Sequence, residues 1–323
     1  MDALPAATAP DSALEPTPCL LCGRADAPVV QHVAAQFAPA DGTTYTFRRC
    51  PSCGLVFLSP RVPLARLGAY YDDEYPPHRG YGVWGRYATY VEEGDRRMDQ
   101  ARVRRLAELL PLDAGSAVLD FGCGRPTFLR ALHDATGCRA VGLDTSDRGW
   151  RHEPAFTRGL ALRRGELEAL APTERFDAIT LWHALEHHYA PRTLLEGLRA
   201  HAKPGAWLVV EVPDHGGLTR RLQGRHWGGW HTPRHTALYA RDTLQAMLER
   251  AGWRVERMLP SGTMSPFVLW WLGGRARAGD HMHRSMEGEF LPYVAGMLAA
   301  LPVLALGRWV RLGVQTAIAR APG

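Results

Sequence analysis

From residue 117 onward, short apolar runs alternate with amphipathic stretches, the pattern of a sheet whose strands are joined by helices. Ala117, Val118 and Leu119 end in Asp120, which predicts a buried parallel strand. Phe121-Gly122-Cys123-Gly124 then turns the chain into a helix beginning near Pro126. Further strands are expected at residues 138–143, 160–164, 176–182, 207–212, 253–259 and 314–319, and helices at 147–158, 192–201 and 241–251. Upstream, Met98, Ala101, Val103, Leu106, Leu109 and Leu110 recur among Arg and Glu, predicting an amphipathic helix over 91–110. Lys203-Pro204-Gly205 reads as a helix stop. The fold class is therefore α/β, a doubly wound seven-stranded sheet occupying residues 111–323.

Two apolar runs interrupt this rhythm before the last strand, at residues 265–272 and 290–307, within an insertion spanning 265–310. Pro292, Gly296 and Pro302 should break up the second run, and Arg275, Arg277, Arg284, Arg308 and Arg311 flank the pair. One reading is an interfacial helical pair that makes peripheral contact with an anionic membrane or grips a lipid-like acceptor. The other is a helical subdomain packed on the core or used to form a homodimer.

Composition narrows the choice little. A net charge of +5 without any basic block disfavours a nucleic-acid partner. Residues 1–17 read as a disordered tail without a signal peptide, so a reducing cytoplasm is expected. Four of the six cysteines form two C-x-x-C-G knuckles, Cys19 with Cys22 and Cys50 with Cys53, while Cys123 and Cys138 fall in the expected core. Each knuckle presents two thiolates from one tight turn, so residues 18–60 are expected to be a zinc ribbon holding a closed structural Zn²⁺. Residues 43–47 and 29–33 should supply its hairpin, and 61–110 a linker and helical approach that includes the aromatic, turn-rich crossing from Tyr70 to Gly82.

The glycine turn carries the chemistry. Its glycines admit close backbone approach, and the following helix N-terminus offers free N–H groups to an anionic group. Asp120-Phe121-Gly122-Cys123-Gly124 resembles the first motif of class I S-adenosylmethionine (SAM) dependent methyltransferases, with Pro126 standing where that family usually has a third glycine. A dinucleotide fingerprint fits less well, because its third glycine would fall on Thr127. The resemblance implies a SAM site built from Asp120, Gly122 and Gly124 at the methionine end, Asp144 at the ribose hydroxyls, and Glu166 at the adenine. Residues 176–187, ending Trp182-His183-Ala184-Leu185-Glu186-His187, resemble the 3-demethylubiquinol O-methyltransferase-like group and place His183 on the cofactor's third side. The Asn/Asp-Pro-Pro-Tyr of base-amine methyltransferases is missing from this stretch.

The loop after the fifth strand concentrates histidine, tryptophan and glycine between Arg225 and His235 and reads as the acceptor lid, with Trp230 and His231 as acceptor contacts. A base assists transfer to a hydroxyl or an acidic carbon; of His183, His187, His231 and His235, the favoured candidates are His187 and His235. A metal held by His226, His231 and His235 is disfavoured for want of helical spacing and acidic companions. The expected function is methyl transfer from SAM to oxygen or carbon of a small-molecule, glycan-precursor or lipid-linked acceptor. The module order also resembles sugar C-methyltransferases, whose additional C-terminal domain has no counterpart in this sequence. The alternatives are a zinc-ribbon RNA methyltransferase and a non-catalytic scaffold with a degenerate SAM site.

Overall fold

The computed structural model describes residues 14–36, 43–71, 80–279 and 286–323. Most of the expected tail, the crossing at 72–79 and Arg284 lie outside the described residues. The elements run β1 (Val29–Ala34), β2 (Thr44–Arg49), β3 (Val56–Leu58), α1 (Leu64–Leu67), α2 (Ala88–Ala107), β4 (Ala117–Phe121), α3 (Thr127–Thr136), β5 (Arg139–Asp144) and β6 (Ala161–Arg164). They continue with β7 (Phe176–Trp182), α4 (Pro191–Ala200), β8 (Ala202–Pro213), α5 (Leu218–Gln223), β9 (Ala237–Leu238), α6 (Arg241–Arg250), β10 (Arg254–Leu259), α7 (Pro266–Arg277), α8 (Glu287–Leu304) and β11 (Val314–Arg320).

The main sheet has the order β10-β11-β8-β7-β4-β5-β6, with β11 antiparallel to both neighbours. Every residue of β4 is buried, as a strand covered on both faces requires. The strand order reverses between β4 and β7, so ligands are expected at the carboxyl ends of these two strands. Helix α3 starts directly after Pro126 and ends on Gly137 at φ 71°, a left-handed stop that glycine tolerates.

Three local expectations are corrected. Residues 147–158 form separate turns instead of a helix, because Gly149 and Pro154 interrupt them; a Cβ on Gly149 would lie 2.5 Å from the Gly124 carbonyl oxygen. Lys203-Pro204-Gly205 opens strand β8 and does not merely stop α4; Gly205 takes φ 72°, and the register with β7 shifts nearby. Pro292 and Pro302 do not break α8, which runs unbroken through both. The carbonyls that they leave without an N–H, of Gly288 and Leu298, belong to exposed residues, which keeps the cost low.

The N-terminal residues form a second, antiparallel sheet of order β1-β2-β3-β9. Its last strand follows two residues beyond the expected lid: Val56 pairs with Leu238 and Phe57 with Ala237. Phe47, Val56 and Leu58 share one buried cluster with Trp227, Trp230 and Leu238. The cysteine-bearing module is thereby fastened to the loop that borders the sheet's carboxyl edge.

Candidate active site and metal centre

At the end of β4, Gly122 (φ 75°) and Gly124 (φ 51°) both take left-handed backbone. A Cβ on Gly122 would lie 2.6 Å from the Ala184 Cβ, whereas one on Gly124 would meet nothing within 4 Å, so the turn is closed against the β7 loop and open beyond Gly124. The Gly122 and Cys123 N–H groups donate to the Leu143 carbonyl at 2.8 and 3.0 Å. The Asp144 carboxylate accepts from the Gly124 and Ser146 N–H groups, each at 2.9 Å, and so holds the turn from the neighbouring strand. Asp120 is 3% exposed and accepts the Thr180 hydroxyl at 2.7 Å; burial pushes its carboxyl up to about 7. Asp99 on α2 is raised the same way and pairs with Arg102 at 3.1 Å. The turn is thus lined with carboxylates, which suits the sulfonium and ammonium charges of SAM. Glu166 follows β6 and sits 3.4 Å from His188, whose hydrogen bond lowers its carboxyl against the opposing effect of burial.

Beyond β7 the chain places His183 at φ 56°, a left-handed conformation uncommon for any residue but glycine. Its Nε2 lies 3.2 Å from Glu211 and its Nδ1 3.4 Å from Glu186. Burial opposes a charge here, yet hydrogen bonds and charge from the two carboxylates overcome it and raise His183 to about 9. Glu211 is pushed up by burial but drawn down further by His183, to about 2, and it also accepts the Thr263 and Met264 N–H groups at 2.6 and 3.0 Å. His183, whose side chain is 18% exposed, is therefore a largely enclosed imidazolium that neutralises two acids, with a carboxylate facing each ring nitrogen.

Such a group links stability to pH. His183 titrates near 6.5 when unfolded, so its stabilisation is complete below that value and is lost as pH rises through about 9. The melting temperature is expected to fall by roughly 5 °C between neutral and strongly alkaline pH. His183→Asn tolerates the left-handed backbone; it should melt lower at neutral pH and lose the alkaline fall, which differential scanning fluorimetry can follow.

Three histidines converge on Glu186, which is 1% exposed: His183 Nδ1 lies 3.4 Å and His235 Nε2 3.9 Å from its carboxylate, and His187 stands beside it. His187 is only partly buried and meets the Tyr71 hydroxyl through Nδ1 at 2.8 Å; burial, His235 and Arg234 lower it to about 3, so it is neutral at pH 7. His235 is 5% exposed, and its Nδ1 donates to the Gly229 carbonyl at 2.9 Å, leaving Nε2 unprotonated 3.9 Å from Glu186. His231 stacks on His235 with centroids 4.9 Å apart. Of the two expected bases, His187 is partly exposed and His235 is enclosed.

The disfavoured metal set of His226, His231 and His235 is not among the groups of described residues that could hold an ion; Glu186, His187 and His235 are, with ligand atoms within 4.8 Å of one another. The acidic companion comes from a segment distant in sequence. Trp230 is corrected too: it is 0% exposed, packs its ring 4.7 Å from Phe47 and donates Nε1 to the Gly224 carbonyl, so it supports the lid from beneath and cannot touch an acceptor. Sequence reasoning missed Tyr71, Glu211, Asp99 and Arg102. Only Glu211 carried a signal, as an acid inside an otherwise apolar strand.

The two cysteine knuckles repeat one geometry. Gly23 and Gly54 both have φ 77°, and their N–H groups donate to the Cys19 and Cys50 carbonyls at 2.8 and 2.9 Å. The thiols pair across the knuckles, Cys19 with Cys53 and Cys22 with Cys50, each at 3.4 Å, and all four sulfurs lie within 4.8 Å of one another. That is the donor set and proximity a tetrahedral Zn²⁺ requires.

Comparison with known proteins agrees with this geometry. The methyltransferase-domain family matches residues 90–257, a little over half of the chain. The chain is 31% identical over 125 residues to the mitochondrial ubiquinone biosynthesis O-methyltransferase of Candida albicans, covering 36% of this chain and 38% of that protein. It is 27% identical over 173 residues to the trans-aconitate 2-methyltransferase of Azoarcus sp. (strain BH72), covering 53% and 66%. The match thus spans less than two thirds of either relative. Among solved structures, that of "a putative sarcosine dimethylglycine methyltransferase from Galdieria sulphuraria" superposes with a TM-score of 0.53 at 15% identity, covering 78% of this chain and 99% of that one, a likeness of fold alone. With more than half of the sequence matched, and with the sheet order and glycine turn already in place, this chain belongs to the methyltransferase-domain family, in its class I, SAM-dependent branch.

Proposed function

We propose that this protein transfers the methyl group of SAM to an oxygen or acidic carbon of a small-molecule or lipid-linked acceptor, with His187 as the base. The observation that carries the reading is the meeting of two sites at one sheet edge. The carboxylate-lined glycine turn after β4 is closed by Ala184, and the neutral His187 stands three residues further on. When bound, SAM supplies an activated methyl that an aligned nucleophile takes by in-line displacement. Asp120, Gly122 and Gly124 would hold its methionine end, Asp144 its ribose, and Glu166 the adenine side. Tyr71 and Glu186 orient His187, so that the imidazole accepts the acceptor's proton and Glu186 offsets the charge that forms.

Cys19, Cys22, Cys50 and Cys53 hold a structural Zn²⁺ in this reading, leaving no coordination position for chemistry. A second reading follows from the 4.8 Å grouping of Glu186, His187 and His235: a divalent cation there would polarise the acceptor oxygen directly. Activity lost on mild chelation and restored by a divalent ion, with the cysteine-bound metal retained, would select it.

Mass spectrometry of a cell extract incubated with the protein and methyl-labelled SAM tests the function without a guess at the acceptor. Asp144→Ala is expected to weaken SAM binding by roughly 30-fold, because it removes both the ribose partner and the anchor of the Gly124 turn. Titration calorimetry reads this out; an unchanged affinity would move the ribose elsewhere.

A further inference from the structure

Helix α8 differs from every other helix in the molecule's described part. With the turn that follows it, residues 287–308 reach a mean hydropathy of 1.9 over an 18-residue window, yet only 6% of that window is buried. Its outward face carries Leu291, Pro292, Ala295, Leu298, Pro302 and Ala305, none of them polar; Leu298 is 56% exposed. A helix that is apolar all round belongs in a core or a membrane, and the protein covers only one side of this one. Tyr293 meets Phe267 and Trp271 with centroids 5.4 Å away in both cases, and Gly296 lets the Phe267 ring approach.

By length and composition alone residues 287–308 would suffice to cross a bilayer. Both ends of the segment, however, are fastened to the same domain. The Met286 N–H donates to the Val83 carbonyl at 2.8 Å and Glu287 pairs with Arg86, while the chain beyond Gly307 returns through Leu312 to β11. It can therefore only lie flat. The carbonyls of Gly288 and Leu298, deprived of partners by proline, then need donors such as those found at headgroup level. Exposed Arg221, Arg225, Arg277 and Arg308 belong to α5, α7 and the turns beside them, and the two acids of α8 are already paired, Glu287 with Arg86 and Glu289 with Arg275. Exposed Trp270 and Trp309 supply the amphipathic rings of a membrane interface.

Between α5, α7 and α8 lies an apolar cavity of about 640 Å³, lined by residues that include Leu222, Phe267, Trp270, Ala300 and Val303. It adjoins a second of about 500 Å³, with which it shares Pro266, Leu304 and Leu312. The second cavity is walled by Thr263 and Met264, whose N–H groups hold Glu211, the partner of His183. The apolar groove thus neighbours, through its shared walls, the segment that holds Glu211.

We infer that α7 and α8 seat the protein on an anionic phospholipid bilayer, and that the groove beside them takes the hydrocarbon chain of a lipid acceptor drawn from that surface. The inference rests on the methyl-transfer reading for the word acceptor, but the seating itself does not. The test is flotation of the full-length, zinc-loaded chain with phosphatidylcholine vesicles containing roughly one-third phosphatidylglycerol, against phosphatidylcholine alone. Most of the protein should float with the anionic vesicles, less at raised salt, and Leu298→Glu combined with Leu301→Glu should cut the floating fraction about tenfold while SAM affinity and melting temperature stay the same. Ala300→Trp should keep flotation but abolish the fluorescence rise of 11-dansylaminoundecanoic acid, a probe of the groove. Recovery of the wild type in the unbound fraction overturns the seating. A stable dimer that the double variant dissociates overturns it as well, assigning the face to a second copy. Failed flotation with intact SAM binding refutes this inference alone; failed SAM binding with intact flotation refutes the methyl-transfer reading instead.

Discussion

Replacing His187 with alanine is expected to lower kcat for methyl transfer by roughly 10²- to 10³-fold while leaving SAM affinity within about twofold. The imidazole is partly exposed, unlike that of His235, and Tyr71 fixes one of its nitrogens, which on the proposed reading leaves the other to an acceptor hydroxyl. Burial and the neighbouring His235 hold it neutral down to about pH 3, so protonation does not remove the base across the ordinary range. Activity should therefore not decline as pH falls through 6.5, where an unperturbed histidine would titrate. His235→Ala should cost only about tenfold in kcat, because its ring is enclosed and acts by packing edge-on against His187. The pH profile separates the two roles: loss of a positioning group moves the apparent pKa of the base that remains, whereas loss of the base removes it.

If the four cysteines hold zinc as proposed, chelating it is expected to lower the melting temperature by about 10 °C or more and to abolish SAM turnover. The knuckles are continuous with the main core: Leu21, Leu55 and Phe57 share one buried cluster with Leu244, Met247 and Leu248 of α6. Strand β3 also pairs with β9, two residues beyond His235. Loss of the metal should therefore loosen the histidine loop from its outer side. Cys50→Ser should reproduce the effect of chelation, and elemental analysis of the untreated chain should find about one zinc per chain. A chelated protein that melts at the same temperature and still turns over would remove the metal from the structure's support.

Local chemistry made much of this legible. The β4 strand, the glycine turn and the paired knuckles each depend on residues within a dozen positions of one another, and all appear where the spacing places them. Helix boundaries set by glycine and proline were less secure. Gly149 and Pro154 broke an expected helix, whereas Pro292 and Pro302 failed to break one, because an outward-facing proline costs only one hydrogen bond. The histidine cluster was half visible: four candidate histidines could be named, but not Glu186 as the common partner of three of them, nor Tyr71 and Glu211 from distant segments. Trp230 looked like an acceptor contact because lids often carry such rings. Its burial comes from the packing of β2 beneath it, which no pattern within the lid reveals.

The most direct measurement is calorimetric titration of SAM into the folded, zinc-loaded chain. Saturable binding at about one SAM per chain, weakened by Asp144→Ala and unaffected by His187→Ala, is the expected result. No detectable binding to that folded protein would contradict the methyltransferase assignment of the glycine turn and leave the scaffold alternative standing.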